Sequence, residues 1–131
     1  MTDDQAIEAL HDRWIRAVQD ADIDALILLL TPDYVLWSPG SPPVVGPEAV
    51  RLLFEATFEV CDIEPSFELE ERIISGDLAV ERGWDVQTIR PGDGSAPRTR
   101  RQRAFLVLRR GDDGEWRFAR GMSQAGPASE A

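Results

Sequence analysis

The chain has 131 residues, 43% of them hydrophobic and 29% charged, enough for one globular domain whose core needs no disulfide or structural metal. Its formal net charge of −10 opposes nonspecific binding to nucleic acid or to an anionic membrane, because the phosphate interaction is repulsive. Cys61 is the single cysteine, so an internal disulfide and a multi-cysteine zinc site are both excluded.

The opening MTDDQAIEALHD is acidic where a secretory signal is basic, and no apolar run is long enough to span a bilayer. A cytoplasmic location is the expectation. Thr2 and Gln5 have the spacing of a capping box. Ile7, Leu10, Trp14, Ala17, Val18 and Ala21 then recur at helical spacing and form one apolar stripe. A short second helix starts near Asp24, runs through Ala25-Leu30 and stops at Thr31-Pro32, where proline disfavours helix at the preceding residue. Tyr34–Ser38 reads as a short strand and Ser38–Pro43 as a proline-rich loop.

Gly46-Pro47-Glu48 opens a third helix, with proline at its first position and Val50, Leu53, Phe54, Thr57 and Phe58 on the buried side. From Ser66 the period changes to two. Strands are expected to Ile74, over Leu78–Ile89, Arg98–Arg110 and Glu115–Ser123, with turns at Ser75-Gly76-Asp77, 90–97 and 111–114. Residues 1–125 thus form a single α+β domain: three N-terminal helices on a curved antiparallel sheet of four main strands plus one short strand. Residues 126–131 are expected to be a disordered tail.

Most chemistry-bearing patterns are missing. His11 is the only histidine, so a His-rich metal site and a histidine-activated Ser38 or Cys61 nucleophile lack their partners. We expect no metal and no cofactor. A solvated or capping role suits His11, and a small core or interface position suits Cys61. Gly92-Asp93-Gly94 lies between strands and beside an acid, unlike a phosphate cradle. Arg98, Arg100, Arg101 and Arg103 form the densest cationic cluster. They either hold an anionic ligand or pair with Glu68, Glu70 and Glu71. Four tryptophans are many for so small a core, so one or two are expected to line a cavity or a dimer face.

Several strings together resemble the nuclear transport factor 2-like superfamily, which includes ketosteroid isomerases and SnoaL-like polyketide cyclases. They are Arg13-Trp14-Ile15-Arg16-Ala17-Val18 followed by Asp22-Ile23-Asp24-Ala25-Leu26, Pro32-Asp33-Tyr34-Val35, Gly46-Pro47-Glu48-Ala49-Val50 and Asp113-Gly114-Glu115-Trp116-Arg117-Phe118-Ala119. The resemblance covers about residues 5–124. The chain is most similar to SnoaL-like proteins of unassigned function, and similar also to the kinase association domain. The resemblance implies a cystatin-like cone wrapped around the first helix, a pocket at its wide end and a homodimer. It does not carry the isomerase chemistry across. Trp14 falls at the position of the oxyanion-hole tyrosine, Ser38 at that of the base aspartate and Leu106 at that of the partner acid. None of the three can move a proton on its own near neutral pH. A histidine-containing dyad of the cyclase kind is not evident, because His11 has no matching acid nearby in sequence.

The expected cavity groups Trp14, Tyr34, Ser38, Phe54, Arg82, Trp84, Gln102, Leu106 and Ser123 as ligand-binding residues. Parity supports Tyr34 with Leu36 and Ser38, and Gln102 with Ala104 and Leu106. A one-residue slip in 98–110 would instead turn Arg101, Arg103 and Phe105 inward and make an anion site. On the next strand, parity separates Glu81, Gly83, Asp85 and Gln87 from Val80, Arg82, Trp84 and Val86, and the isomerase-like register favours Arg82 and Trp84 inward. Two functions follow. The preferred one is a small-molecule-binding or oligomerisation module with an apolar aromatic pocket, and catalytic residues are then unknown. The other is an isomerase, cyclase or dehydratase acting on a polyketide- or steroid-like substrate with non-standard catalytic groups. A carboxylate facing the pocket favours the second. The apolar alternation on both sides of 105–108 also implies a homodimer through the convex sheet face.

Overall fold

The structure, a computed structural model, describes residues 1–126, and the expected tail lies outside them apart from Gly126. The order is α1 (Asp3–Gln19), α2 (Ile23–Ile27), β1 (Leu30–Trp37), β2 (Val44–Val45), α3 (Pro47–Val60), β3 (Cys61–Ser75), β4 (Leu78–Pro91), β5 (Arg98–Arg110) and β6 (Trp116–Ala125). The capping box is present: Gln5 N–H donates to Thr2 Oγ1 at 3.2 Å and Thr2 N–H donates to Gln5 Oε1 at 2.9 Å. Asp22 caps α2 through Ala25 N–H, and Pro47 starts α3 after Gly46, whose φ of 87° suits glycine.

The strands form one sheet in the order β2-β1-β6-β5-β4-β3. The antiparallel meander from β3 to β6 is as expected, but the sheet is mixed and has six strands. β1 joins the free edge of β6 in parallel, from Leu30↔Phe118 to Trp37↔Met122. The apolar run 25–30 suggests helix up to Leu30. Helix ends at Ile27 instead, because Leu29 C=O is taken by Phe118 N–H at 2.9 Å and Leu30 opens the strand. β3 likewise begins at Cys61, where Cys61, Ile63 and Pro65 turn inward and alternate with exposed Asp62 and Glu64. Pro65 fits there because β3 is an edge strand that tolerates a missing N–H.

α1 lies on the inner face and touches both β3 at the sheet edge and β6 three strands away. A flat sheet would hold those strands about 14 Å apart, so it curls around the helix. Ile7, Leu10, Val18, Leu26, Val50, Leu108, Trp116 and Phe118 form the core beneath that curl. Their burial is the main stabilising contribution, at roughly 1.5–3 kcal/mol for each large side chain. None of the described helices is long and apolar enough to cross a membrane.

Candidate functional site

Period-two alternation brings the even-numbered residues of β1 and β5 to the inner face. Where α1 and α3 do not fill the curl, a cavity of about 160 Å³ remains. Trp14 of α1 and Phe54 of α3 meet edge to face at 6.0 Å, and Trp14 meets Phe118 at 5.5 Å. With Leu36, Phe67 and Leu106 they make most of the wall apolar. The structure brings Trp14, Tyr34, Ser38, Phe54, Gln102, Leu106 and Ser123 together around this space. The slipped register of 98–110 does not occur: Gln102, Ala104 and Leu106 face inward, while Arg101 and Arg103 flank Trp84 outside.

Arg82 and Trp84 are corrections. Both sit on the outer face. Arg82 pairs with Glu71 at 3.0 Å and Glu70 at 3.3 Å, and Trp84 lies under the Arg101 guanidinium at 3.8 Å. Arg101 also pairs with Glu68 at 2.9 Å, so the acidic strand neutralises part of the arginine cluster across the sheet. The physical reason for the reversal is Glu81. It is drawn inward by its buried partners His11 and Arg72, and parity carries Gly83, Asp85 and Gln87 to the same side.

His11 is the second correction. It is buried, at i+4 from Ile7, and its ring stacks on Phe67 with centroids 4.8 Å apart. Its Nε2 lies 2.7 Å from Glu81 Oε1, and Arg72 Nε donates to Glu81 Oε2 at 2.7 Å. Burial alone pushes the Glu81 carboxyl up, but hydrogen bonds and charge from His11 and Arg72 outweigh it and hold the group below its ordinary value. The other guanidinium nitrogens of Arg72 reach Glu8 at 2.6 Å and Asp4 at 3.2 Å, fastening α1 to the sheet. The acid that sequence proximity could not supply to His11 therefore comes from β4. Spacing offered one signal: His11 sits on the Ile7–Trp14 stripe, which a solvated residue would avoid.

Asp85 has a different environment. It faces the cavity and accepts one hydrogen bond among the described residues, from Gln87 Nε2 at 3.2 Å. Gln87 Oε1 in turn accepts from Arg100 Nη2 at 3.2 Å. Burial raises the Asp85 carboxyl despite the Arg100 charge and the Gln87 amide. Tyr34, only 4% exposed, also lines the cavity, and its hydroxyl has no hydrogen-bond partner among the described residues. Burial and the Asp85 charge push the phenol up, so it stays protonated and able to donate. Gly121 leaves it room, since a Cβ there would lie 2.8 Å from the Tyr34 hydroxyl. A lone carboxyl and a free phenol in an apolar space can exchange a proton with a ligand and hydrogen-bond its oxygen. Among the described residues no cluster of His, Cys, Asp and Glu could hold a metal ion.

Residues 11–119 match the SnoaL-like domain family. No curated protein matches the chain. Among solved structures, a conserved protein from Planctomyces limnophilus is 32% identical with a TM-score of 0.86, over 92% of this chain and 93% of that one. A ketosteroid isomerase-like protein from Erwinia carotovora atroseptica is 28% identical with a TM-score of 0.79, over 91% and 92%. A nuclear transport factor 2-like protein with a cystatin-like fold from Novosphingobium aromaticivorans is 23% identical with a TM-score of 0.76, over 98% and 84%, and shares the fold. The chain belongs to the SnoaL-like domain family, on the cystatin-like fold of nuclear transport factor 2-like proteins.

Proposed function

We propose that this domain is an acid–base enzyme acting on a small carbonyl compound, with Asp85 as the group that moves the proton. The observation that carries this reading is Asp85 itself: an inward carboxyl with a raised pKa, one neutral hydrogen-bond partner and an unpaired phenol lining the same apolar cavity. In the ionised form Asp85 takes a proton from the carbon between the carbonyl and a β,γ double bond of an unsaturated substrate. The C–H electron pair moves into the enolate, and its oxygen accepts a hydrogen bond from Tyr34. Asp85 then returns the proton to the conjugated carbon, so the net change is isomerisation. The base supplies roughly 10²–10⁴-fold, and the oxyanion donor about 10²–10³-fold.

Size narrows the substrate. The cavity of about 160 Å³ is comparable to an engineered protein cavity of about 150 Å³ that accepts benzene. One ring fits inside, with a second at the mouth, whereas four fused rings do not. Turnover of a 5-ene-3-ketosteroid is therefore not expected. Trp14, Ser38 and Leu106 also lack the groups that steroid isomerases use at those positions.

The test is deuterium exchange at the α-carbon of one- and two-ring ketones, 2-tetralone among them, followed by NMR. The wild type is expected to exceed buffer clearly, and Asp85→Asn to lose most of that excess. Equal rates for wild type, variant and buffer would overturn the proposal and leave a binding module as the function.

We also propose a homodimer through the outer sheet face. Phe105 is 50% exposed and Ile73 54% exposed there, an apolar surface beside the Arg82–Glu71 and Arg101–Glu68 pairs. A monomer mass at every concentration in light scattering would rule it out.

A further inference from the structure

We infer that the ligand of the cavity is an anion, a ring carboxylate whose charged end is held by Arg100. The anionic end rests only on reading the cavity as a ligand site, whereas the position of the carbonyl rests on the chemistry assigned to Asp85. Arg100 is the only arginine among the described residues that line the cavity. Its hydrogen-bond partner among the described residues is an uncharged one, the amide oxygen of Gln87 at 3.2 Å. In a chain with ten more acids than bases that is unusual company for a guanidinium. Arg51, Arg72, Arg82, Arg90, Arg101, Arg109, Arg110, Arg117 and Arg120 each have a carboxylate within 4 Å. Arg13, Arg16, Arg98 and Arg103 have no ion pair among the described residues, and none of them lines this cavity.

A guanidinium carries five N–H donors in a planar fork suited to a carboxylate. Gln87 uses one of them and steadies the side chain, leaving the rest for a ligand. Register sets the spacing. Gln87 lies opposite Arg100 and Asp85 lies opposite Gln102, so the anion site and the proton-transfer site are one pleat apart, roughly 6.6 Å along the strands. That matches a six-membered ring with a carboxylate at one end and a carbonyl across from it, and the aromatic walls of Trp14 and Phe54 receive the ring. The substrate class is thus a cyclic keto acid.

Charge sharpens the expectation. The ligand's carboxylate approaches Asp85, so protonating or neutralising Asp85 removes a repulsion, while removing Arg100 removes the attraction. His11 also lines the cavity, but its Nε2 is held by Glu81. Ionic recognition therefore falls to Arg100.

Calorimetric titrations of the 131-residue chain with benzoate and benzamide, and with 4-oxocyclohexanecarboxylate and its amide, test this. Each carboxylate is expected to bind about 10- to 100-fold tighter than its amide. Arg100→Gln, at an exposed position that leaves the core untouched, is expected to erase that preference without weakening the amides. Asp85→Asn is expected to tighten the carboxylates. Equal affinity for acid and amide, or a preference that survives Arg100→Gln, would overturn the inference while leaving the acid–base reading in place. If neither acid nor amide binds, the cavity is not a ligand site and both fail.

Discussion

Glu81 and Asp85 share the inner face of β4, yet their surroundings drive them in opposite directions. Glu81 is 1% exposed and both its oxygens are engaged, by His11 and by Arg72. Its carboxyl is held below the ordinary value although burial pushes the other way. Asp85 is less deeply buried, but its one hydrogen-bond partner among the described residues is a neutral amide and its carboxyl is raised. Burial alone does not decide the fate of a carboxylate; satisfaction does. The saturated group holds α1 in place, and the unsaturated one remains available to a ligand. Pairs of acids pushed apart in this way are a recurring mark of assigned roles in proton-transfer sites.

The contrast can be broken most sharply at its reactive end. Asp85→Asn is expected to cut the proton-exchange rate by about 10²–10⁴-fold. Its denaturation midpoint at neutral pH should equal or exceed that of the wild type, because a desolvated charge has gone. A variant that is slower and also clearly less stable would show that Asp85 is structural. Glu81→Ala should behave in the reverse sense. Removing one partner of a buried pair costs about 3–5 kcal/mol, read from urea unfolding, since His11 and Arg72 lose their shared anion. A loss below 1 kcal/mol, the scale of an exposed ion pair, would deny the network its fastening role.

Gly83 sits between the two acids on the same face. A Cβ there would overlap the backbone carbonyl of Glu68 and stand 3.0 Å from the ring of Phe67, on which His11 stacks. Gly83→Ala should therefore destabilise by about 1–3 kcal/mol and weaken ligand binding as well, because β3 must move away. Unchanged binding alongside lost stability would mean that the two regions are uncoupled.

The smallest effect is in pH dependence, where the two variants should slope oppositely. Glu81 has a lowered folded-state pKa, so its stabilisation is present above the ordinary carboxylate value and is lost as pH falls through the folded value. Asp85 has a raised one, so its contribution is complete below the ordinary value and declines as pH rises through the folded value. The excess stability of Asp85→Asn over wild type should thus appear with rising pH. The deficit of Glu81→Gln should shrink as pH falls. Parallel curves for the two variants would contradict the opposite assignments.

Much of this arrangement was legible in the residues. The capping box, the strand 98–110 and the inward sets Tyr34/Leu36/Ser38 and Gln102/Ala104/Leu106 follow from spacing and parity. The face of β4 was not legible, for a physical reason. Val80, Trp84 and Val86 make its outer side look like a core, while Glu81, Asp85 and Gln87 make its inner side look solvated. Hydrophobic patterning ranks the two sides backwards because the inner one carries the polar groups of the cavity and the outer one is an apolar surface. The same inversion hid His11. Sequence rules fail where polar groups are buried for a purpose. Pairings such as His11 with Glu81 are set by tertiary distance, on which local spacing is silent.

The parallel pairing of β1 with β6 has a consequence for how the protein is made. Among the described strands β1 is synthesised first and β6 last, and register joins Leu30 to Phe118 and Trp37 to Met122. Until β6 emerges, the apolar segment from Leu26 to Trp37 has no strand to cover its long edge except the two-residue β2. Contacts that span nearly the whole chain close late and slowly, and an unpaired apolar strand is a site for association between nascent chains. β6, which pairs with β1, therefore also ends an aggregation-prone interval in the synthesis of this domain.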